Sequence, residues 1–180
     1  MRIITISGHA QNGKDTAAAI IKNKLAYRGC NVLITHYADL LKYICYTFFG
    51  WDGKKDEWGR TLLQYVGTDV IREIDPNYWV DFISSILKFF GDNWDWVIIP
   101  DARFPNEIER LRQNGFDVTH IRIVRDNFKN SLTGEQLNHP SETALDGVVP
   151  DFCFQNNGTI DDLDELITTW IKENTNEKQS

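Results

Sequence analysis

An α/β layered domain built on a mainly parallel sheet is what this sequence predicts, and three observations predict it. Strand-like and helix-like stretches alternate from one end of the chain to the other, the pattern of parallel strands joined by crossover helices. The apolar run Ile3-Ile4-Thr5-Ile6 passes through a glycine-containing turn straight into an amphipathic stretch. Trp96-Val97-Ile98-Ile99 is apolar throughout, as a strand covered on both faces and central in its sheet must be.

The elements follow in order. Residues 3–7 form the first strand, and residues 15–28 a helix with Ala17, Ile21 and Leu25 on one face, closing at Gly29. Residues 32–37 read as the second strand. Asp39 opens a helix in which Leu41, Ile44, Cys45 and Phe48 follow the i, i+3, i+4, i+7 rule, ending at Gly50. Residues 55–90 read as helical, the last part (77–90) with Val80, Ile83, Leu87 and Phe90 on one side. Residues 96–99 are the third strand, 106–113 a helix stopping at Asn114-Gly115, and 118–124 the fourth strand. The polar stretch 126–150 is long for a connection in a compact domain, and loops of that length serve as lids or binding loops. Residues 152–154 are the fifth strand. Residues 159–172 form a helix with Leu163, Leu166, Ile167 and Trp170 facing inward, and 174–180 are a polar tail expected to fray. With no repeat, linker or low-complexity tract, residues 1–180 read as one domain.

Bulk properties narrow the function classes. A chain of 180 residues can bury a core of its own. A net charge of −7 argues against a nucleic-acid duplex as partner, whose affinity comes from many Lys/Arg–phosphate contacts. A small anion is still allowed, because a local arginine cluster can hold phosphate on an acidic protein. Cys30, Cys45 and Cys153 form no C-x-x-C pair and read as reduced, buried thiols of a cytosolic protein. No signal-type apolar region and no span of membrane length is present. The expectation is a soluble cytoplasmic protein with no membrane partner. Exposed aromatics such as Trp51 and Trp58 could serve a homodimer interface.

The turn after the first strand reads Gly8-His9-Ala10-Gln11-Asn12-Gly13-Lys14-Asp15-Thr16, a G-x-x-x-x-G-K pattern. Such a turn leaves backbone N–H groups converging above a helix N-terminus, a cradle for polyphosphate, and the lysine reaches the β- and γ-phosphates. The ligand class this names is a nucleoside triphosphate. The Ser/Thr that usually follows the lysine is replaced by Asp15. A carboxylate can hold Mg²⁺ directly or through water, which leaves Thr16 for a phosphate oxygen.

Two further groups fall just past strand ends, where ligands bind in open α/β sheets. Ala38-Asp39-Leu40-Leu41-Lys42 follows the second strand. There Asp39 reads either as a helix cap or as an acceptor-side residue, and Lys42 either as a surface lysine or as a ligand. Pro100-Asp101-Ala102-Arg103-Phe104-Pro105-Asn106-Glu107 follows the third. Asp101 resembles the acidic residue that positions Mg²⁺ in phosphate-loop enzymes, and Arg103 emerges at the same edge, able to grip a phosphate bidentately. The alternative there is a strand-end salt bridge. Arg60, Arg72 and Arg125 are candidates for stabilising transferred phosphoryl charge, although helix arginines are usually surface residues. Asn138-His139-Pro140-Ser141-Glu142 is a polar knot in the long loop, read as lid or acceptor-site material. No Ser-His-Asp arrangement and no zinc-type spacing competes with the phosphate loop.

In the order and spacing of these motifs the chain resembles the bacteriophage-type deoxynucleoside monophosphate kinases, a branch of the phosphate-loop (P-loop) nucleotide kinases. The likeness runs through Gly13-Lys14-Asp15-Thr16, Tyr37-Ala38-Asp39-x-Leu41-Lys42 and Leu62-Leu63-Gln64-x-x-Gly67-Thr68-Asp69. It continues in Asp75-Pro76-x-x-Trp79-Val80, Asp101-x-Arg103-Phe104-Pro105-Asn106-Glu107 and His139-x-Ser141-Glu142. The resemblance implies a three-layer fold, a five-stranded parallel sheet with helices on both faces. It also implies a helical acceptor-binding region at 51–93 and a lid at 126–150. It implies transfer of a phosphoryl group from ATP to a deoxynucleoside monophosphate (dNMP), directly and in line, with Mg²⁺. Asn12, Gly13, Lys14, Asp15 and Thr16 would hold the ATP phosphates, with Asp15 and Asp101 toward the metal. Ala38, Asp39, Lys42, Gln64, Arg72, Asp101 and Arg103 would line the acceptor side, joined by His139 and Glu142. Lys14, Arg103 and Arg125 would carry the chemistry, Arg125 closing with the lid. Two rivals remain: a kinase for another phosphorylated acceptor, of the dephospho-coenzyme A or phosphomevalonate type, and a non-catalytic ATP-binding module.

Overall fold

Successive side chains of the central strands point to opposite faces of the sheet and are buried on both, and that makes the layers. In the computed structural model, which describes residues 1–126 and 132–175, β1 (Arg2–Ser7), β2 (Val32–Ile34), β3 (Trp96–Ile99), β4 (Asp117–Val124) and β5 (Phe152–Gln155) form one sheet. Its order is β2-β3-β1-β4-β5 and every pairing is parallel. Ile3, Val97 and Ile99 face one side; Ile4, Ile6, Trp96, Ile98, Ile121 and Ile123 face the other. Each face needs a cover of apolar helix surface, since an exposed Ile costs about 2 kcal/mol relative to a buried one.

On the second face lie α1 (Lys14–Tyr27), through Ala17, Ala18, Ile21 and Leu25, and α9 (Ile160–Asn174), through Leu163, Ile167, Trp170 and Ile171. On the first lie α2 (Ala38–Phe49), α5 (Tyr78–Phe90) and α6 (Pro105–Gln113), through Leu41, Cys45, Val80, Ile83, Leu87, Ile108 and Leu111. Between α2 and α5 run α3 (Glu57–Gln64), a π-helical turn over Tyr65–Val70, and α4 (Ile71–Ile74). Among its described residues, the segment between β4 and β5 carries two single-turn helices, α7 (Gly134–Leu137) and α8 (Pro140–Thr143). The chain leaves β1 for β2 on one side of the sheet and later comes back to β4 on the other. The C-terminal end of β1 is therefore the switch point where a ligand crevice opens.

Several expectations are corrected. The second strand stops at Ile34, not at residue 37, because Tyr37 and Ala38 donate their N–H groups to Asp101 and start α2 early. Phe48 and Phe90 were expected inward but are 70% and 53% exposed; both sit in the last turn of their helices. Trp51 is buried, its indole N–H donating to Lys54 O at 2.8 Å, so it cannot serve an interface; Trp58 is exposed. Of the three thiols only Cys45 is buried, while Cys153 is exposed. Asn174 closes α9 and Thr175 is buried, its hydroxyl bonded to Ile171 O, so the tail begins later than expected. Residues 176–180 of that tail and 127–131 of the long loop lie outside the described residues. Among the described residues no helix is long and apolar enough to cross a membrane.

Candidate active site

The phosphate loop takes its shape from three residues at positive φ, two of them glycines. Gly8, Gln11 and Gly13 have φ of 142°, 65° and 94°. At Gly8 a Cβ would stand 2.3 Å from the Ile123 carbonyl oxygen of β4, so only glycine lets the loop lie against that strand. Asn12, expected to touch phosphate, is buried; its side-chain amide donates to Ile123 O, and Asn156 in turn donates to Asn12 O at 2.9 Å. Its side chain therefore braces the loop from below. Lys14 is likewise buried, its ammonium donating to Gly8 O (2.6 Å) and His9 O (2.8 Å). Burial, with the nearby Arg103 charge, brings its pKa down to about 8.

A cavity of about 580 Å³ opens in front of this loop, within the range of small-molecule sites. Among the described residues six cations line it, Lys14, Lys42, Lys55, Arg60, Arg72 and Arg103, and four carboxylates, Asp15, Asp101, Glu107 and Glu142. The cleft is thus locally basic on a chain whose net charge is −7, the local cluster that an anionic ligand requires.

Each carboxylate has a distinct task. Asp101 accepts from the N–H groups of Tyr37 and Ala38, both at 3.0 Å, and so ties the start of α2 to the end of β3. Glu107 is 1% exposed and pairs with Arg72; burial pushes its pKa up, against the pull of Arg72. Glu142 reaches from α8 to accept from Ala10 N–H (3.2 Å) and Arg103 (2.5 Å), a carboxylate lodged between phosphate loop and guanidinium. Asp15 alone is open, with its side chain 85% exposed, and His36 at 3.8 Å is the main influence holding its pKa below the ordinary carboxylate value. At that separation the contact is electrostatic and longer than a hydrogen bond. His36 is pushed up correspondingly, chiefly by Asp15. With two oxygens facing solvent next to Lys14, Asp15 fits a hard cation such as Mg²⁺, which takes one or two carboxylates and keeps waters.

The helical insert contributes the wall opposite the loop. Leu63, Gln64, Gly67, Thr68 and Arg72 line the cavity, with Leu41, Trp79 and Phe104 as its apolar surface. Within the π-helical turn the Gly67 carbonyl accepts the Trp79 indole N–H at 3.0 Å, and π turns recur at functional sites. Gln136 of α7 donates to Glu57 O and Thr61 Oγ1, and so anchors the β4–β5 segment onto α3 beside the cleft.

Of the residues expected at the site, the structure brings Lys14, Asp15, Ala38, Lys42, Gln64, Arg72, Asp101, Arg103 and Glu142 to this one cavity. Gly13 and Thr16 lie at the start of α1 without lining it. Asp39 is turned to its own helix, accepting from His36 N–H and Lys42. His139 caps α8, accepting from Ser141 N–H, and its other ring nitrogen lies 3.3 Å from Asp69. Arg125 is exposed beyond the end of β4 and is not among the lining residues. His36 and Glu107 were assigned no role from sequence. Both stand three or four residues from an aspartate or arginine that was singled out, but only packing shows what they touch.

Known proteins bear on this geometry in two ways. The fold is that of small-molecule kinases. The APS kinase of Mycobacterium tuberculosis in complex with AMPPNP and APS superposes with a TM-score of 0.53 at 10% identity, over 95% of this chain and 97% of that one. The shikimate kinase of Aquifex aeolicus superposes with a TM-score of 0.51 at 10% identity, over 96% and 98%. In sequence, the deoxynucleotide monophosphate kinase of Enterobacteria phage T4 is 31% identical over 121 residues, 66% of this chain and 47% of that protein. That of Escherichia phage RB69 is 32% identical over 111 residues, 60% of this chain and 43% of that protein. The chain thus spans less than half the length of these two phage relatives. A protein of Acanthamoeba polyphaga mimivirus matches end to end, 28% identical over 95% of this chain and 96% of its own length. The profile described as Deoxynucleotide monophosphate kinase matches residues 49–167, a span holding the helical insert, Asp101 to Glu107 and the His139-to-Glu142 knot. With that match covering more than half of its length, and with the matched Asp101, Arg103 and Glu142 lining one cleft with the phosphate-loop Lys14, this chain belongs to the deoxynucleotide monophosphate kinase family.

Proposed function

We propose that the chain transfers the γ-phosphoryl group of ATP to the 5′-phosphate of a deoxynucleoside monophosphate, giving a deoxynucleoside diphosphate and ADP. The observation that carries this reading is the pairing of cations across one cleft. Lys14 of the phosphate loop and the Arg72 and Arg103 guanidinium groups line the same cavity, so two polyanions can be held facing each other.

An acceptor phosphate oxygen is already a nucleophile, so no general base is needed. That oxygen forms the new bond to the γ-phosphorus while the bond to the β–γ bridging oxygen breaks, its electron pair leaving with ADP. The chain's contribution is alignment and charge stabilisation. Lys14 would swing from Gly8 O and His9 O onto the donor phosphates. Arg103 would exchange Glu142 for phosphate oxygens, with Arg72 on the acceptor phosphate. Helices α7 and α8 would exclude water that otherwise wastes ATP. Asp15 would hold Mg²⁺, which when bound neutralises charge on the β- and γ-phosphate oxygens. Such a reaction belongs in the cytoplasm, the host's if the chain is phage-encoded.

Mg-ATP is tested with each dNMP in turn, with ribonucleotides, and with dephospho-coenzyme A and phosphomevalonate, following ADP release and the phosphorylated product. Formation of dNDP with at least one dNMP is expected. Turnover only with a non-nucleotide acceptor would replace the reading by the first rival, and saturable ATP binding without ADP release by the second.

Lys14 also sets a pH dependence. With its pKa at about 8 in the free protein, the ammonium that pairs with triphosphate is present below pH 8 and disappears above it. The apparent KM for ATP should climb above pH 8, by up to about tenfold per pH unit. A profile still flat at pH 9.5 would contradict this.

A further inference from the structure

We infer that Glu107 is the positioning residue of the acceptor side, holding Arg72 and the Arg103 main chain in one register so that both guanidinium groups meet the same phosphate. This deepens the phosphoryl-transfer reading above and rests on it.

Glu107 occupies the first turn of α6, where a carboxylate ordinarily caps the helix and faces water. It does accept the local amides, Arg103 N–H at 2.6 Å and Phe104 N–H at 3.0 Å. A cap alone needs no burial, yet this side chain is 1% exposed. Its second oxygen goes to a partner 35 residues upstream, the Arg72 guanidinium of the helical insert. A buried carboxylate is costly unless it is paired and hydrogen-bonded, and here both oxygens are satisfied by groups that belong to the cleft.

The consequence is a fixed guanidinium. Arg72 is held at one terminal nitrogen by Glu107, at the other by Pro76 O (3.0 Å), and on its face by the Phe104 ring 4.1 Å away. Phe104 is itself positioned by the same carboxylate through its N–H. One side chain thus sets the charge that Arg72 pairs with, the ring it stacks on, and the backbone from which Arg103 projects. Preorganised cations of this kind stabilise phosphoryl charge without reorganising during the reaction.

Steady-state kinetics of the full chain test the inference, with Glu107→Gln, Glu107→Asp, Arg72→Met and the Glu107→Gln/Arg72→Met double variant. The carboxylate exchanged for an amide, or shortened by one methylene, should raise the KM for dNMP about tenfold or more and lower kcat. The KM for ATP should stay within about twofold. The double variant should lose less than the product of the two single losses, since both act through one guanidinium. An unchanged dNMP KM, equal rises in both KM values, or fully multiplicative losses would each overturn the inference while leaving the activity in place. Should Glu107→Gln fail to fold, Glu107→Asp, which keeps the charge opposite Arg72, gives the same decision. If the unmodified chain forms no dNDP at all, the functional reading fails and this inference falls with it.

Discussion

Replacing Lys14 by alanine is expected to lower turnover about 10³-fold or more while leaving the fold intact, because the lysine acts on charge that develops on the donor phosphates. The two effects are separable on physical grounds. Lys14 sits at the floor of the cleft with its ammonium on Gly8 O and His9 O. Burial already depresses its pKa, so the folded state bears a cost for the charge that the alanine variant escapes. Thermal unfolding of Lys14→Ala should accordingly match the unmodified chain within a few degrees, with dNDP formation all but lost. Near-normal turnover in a folded Lys14→Ala variant would remove the lysine from its assigned role.

Gly8→Ala is expected to have the largest effect on stability. The added methyl would stand 2.3 Å from the Ile123 carbonyl oxygen, at a φ of 142° that L side chains rarely adopt. Neither the strand nor the turn can give way cheaply. β1 and β4 are paired over six residues, from Arg2 with Asp117 to Ser7 with Arg122, and Asn12 and Asn156 tether the loop just beyond. A loss of about 3 kcal/mol or more follows from strain plus overpacking, visible as a lowered denaturation midpoint. Bound ATP should recover part of it, since a ligand that binds only the folded state stabilises by mass action. A variant as stable as the parent would mean the loop does not lie against β4 as described.

Much of this arrangement was legible from local pattern. The Gly8-to-Lys14 turn, the apolar β3 and the two helices covering the second face are each specified by neighbours within a few residues, and the structure places them within a residue or two of where they were read. What escaped depends on contacts across long stretches of chain. Tyr37 looked like strand because it continues an apolar alternation. It starts a helix because Asp101, 64 residues away, binds its N–H. Phe48 fits the helical period of Leu41 and Cys45, but periodicity reports which side faces inward and not how far the core extends beneath it. Trp51 reads as an exposed aromatic until its indole is seen to close a turn onto Lys54 O. Glu107 lay in plain view inside a recognised motif, yet its value comes from Arg72 arriving from another element. Asn12 shows the converse: its place in the loop marks it for the phosphates, while the bond its side chain makes to Ile123 O, 111 residues away, shows only in the packing.

In the proposed reaction donor and acceptor phosphates occupy one cleft, end to end. Calorimetric affinity of a two-headed ligand, adenosine and a deoxynucleoside joined through five phosphates, bears on it most directly. It should bind at least about 100-fold more tightly than ATP or the dNMP alone, because a single molecule then engages both cation sets without a second loss of translational freedom. Lys14→Ala and Arg72→Met should each erase most of that gain. A two-headed ligand held no better than ATP would mean that the two anions do not share this site and that phosphoryl transfer between them does not occur there.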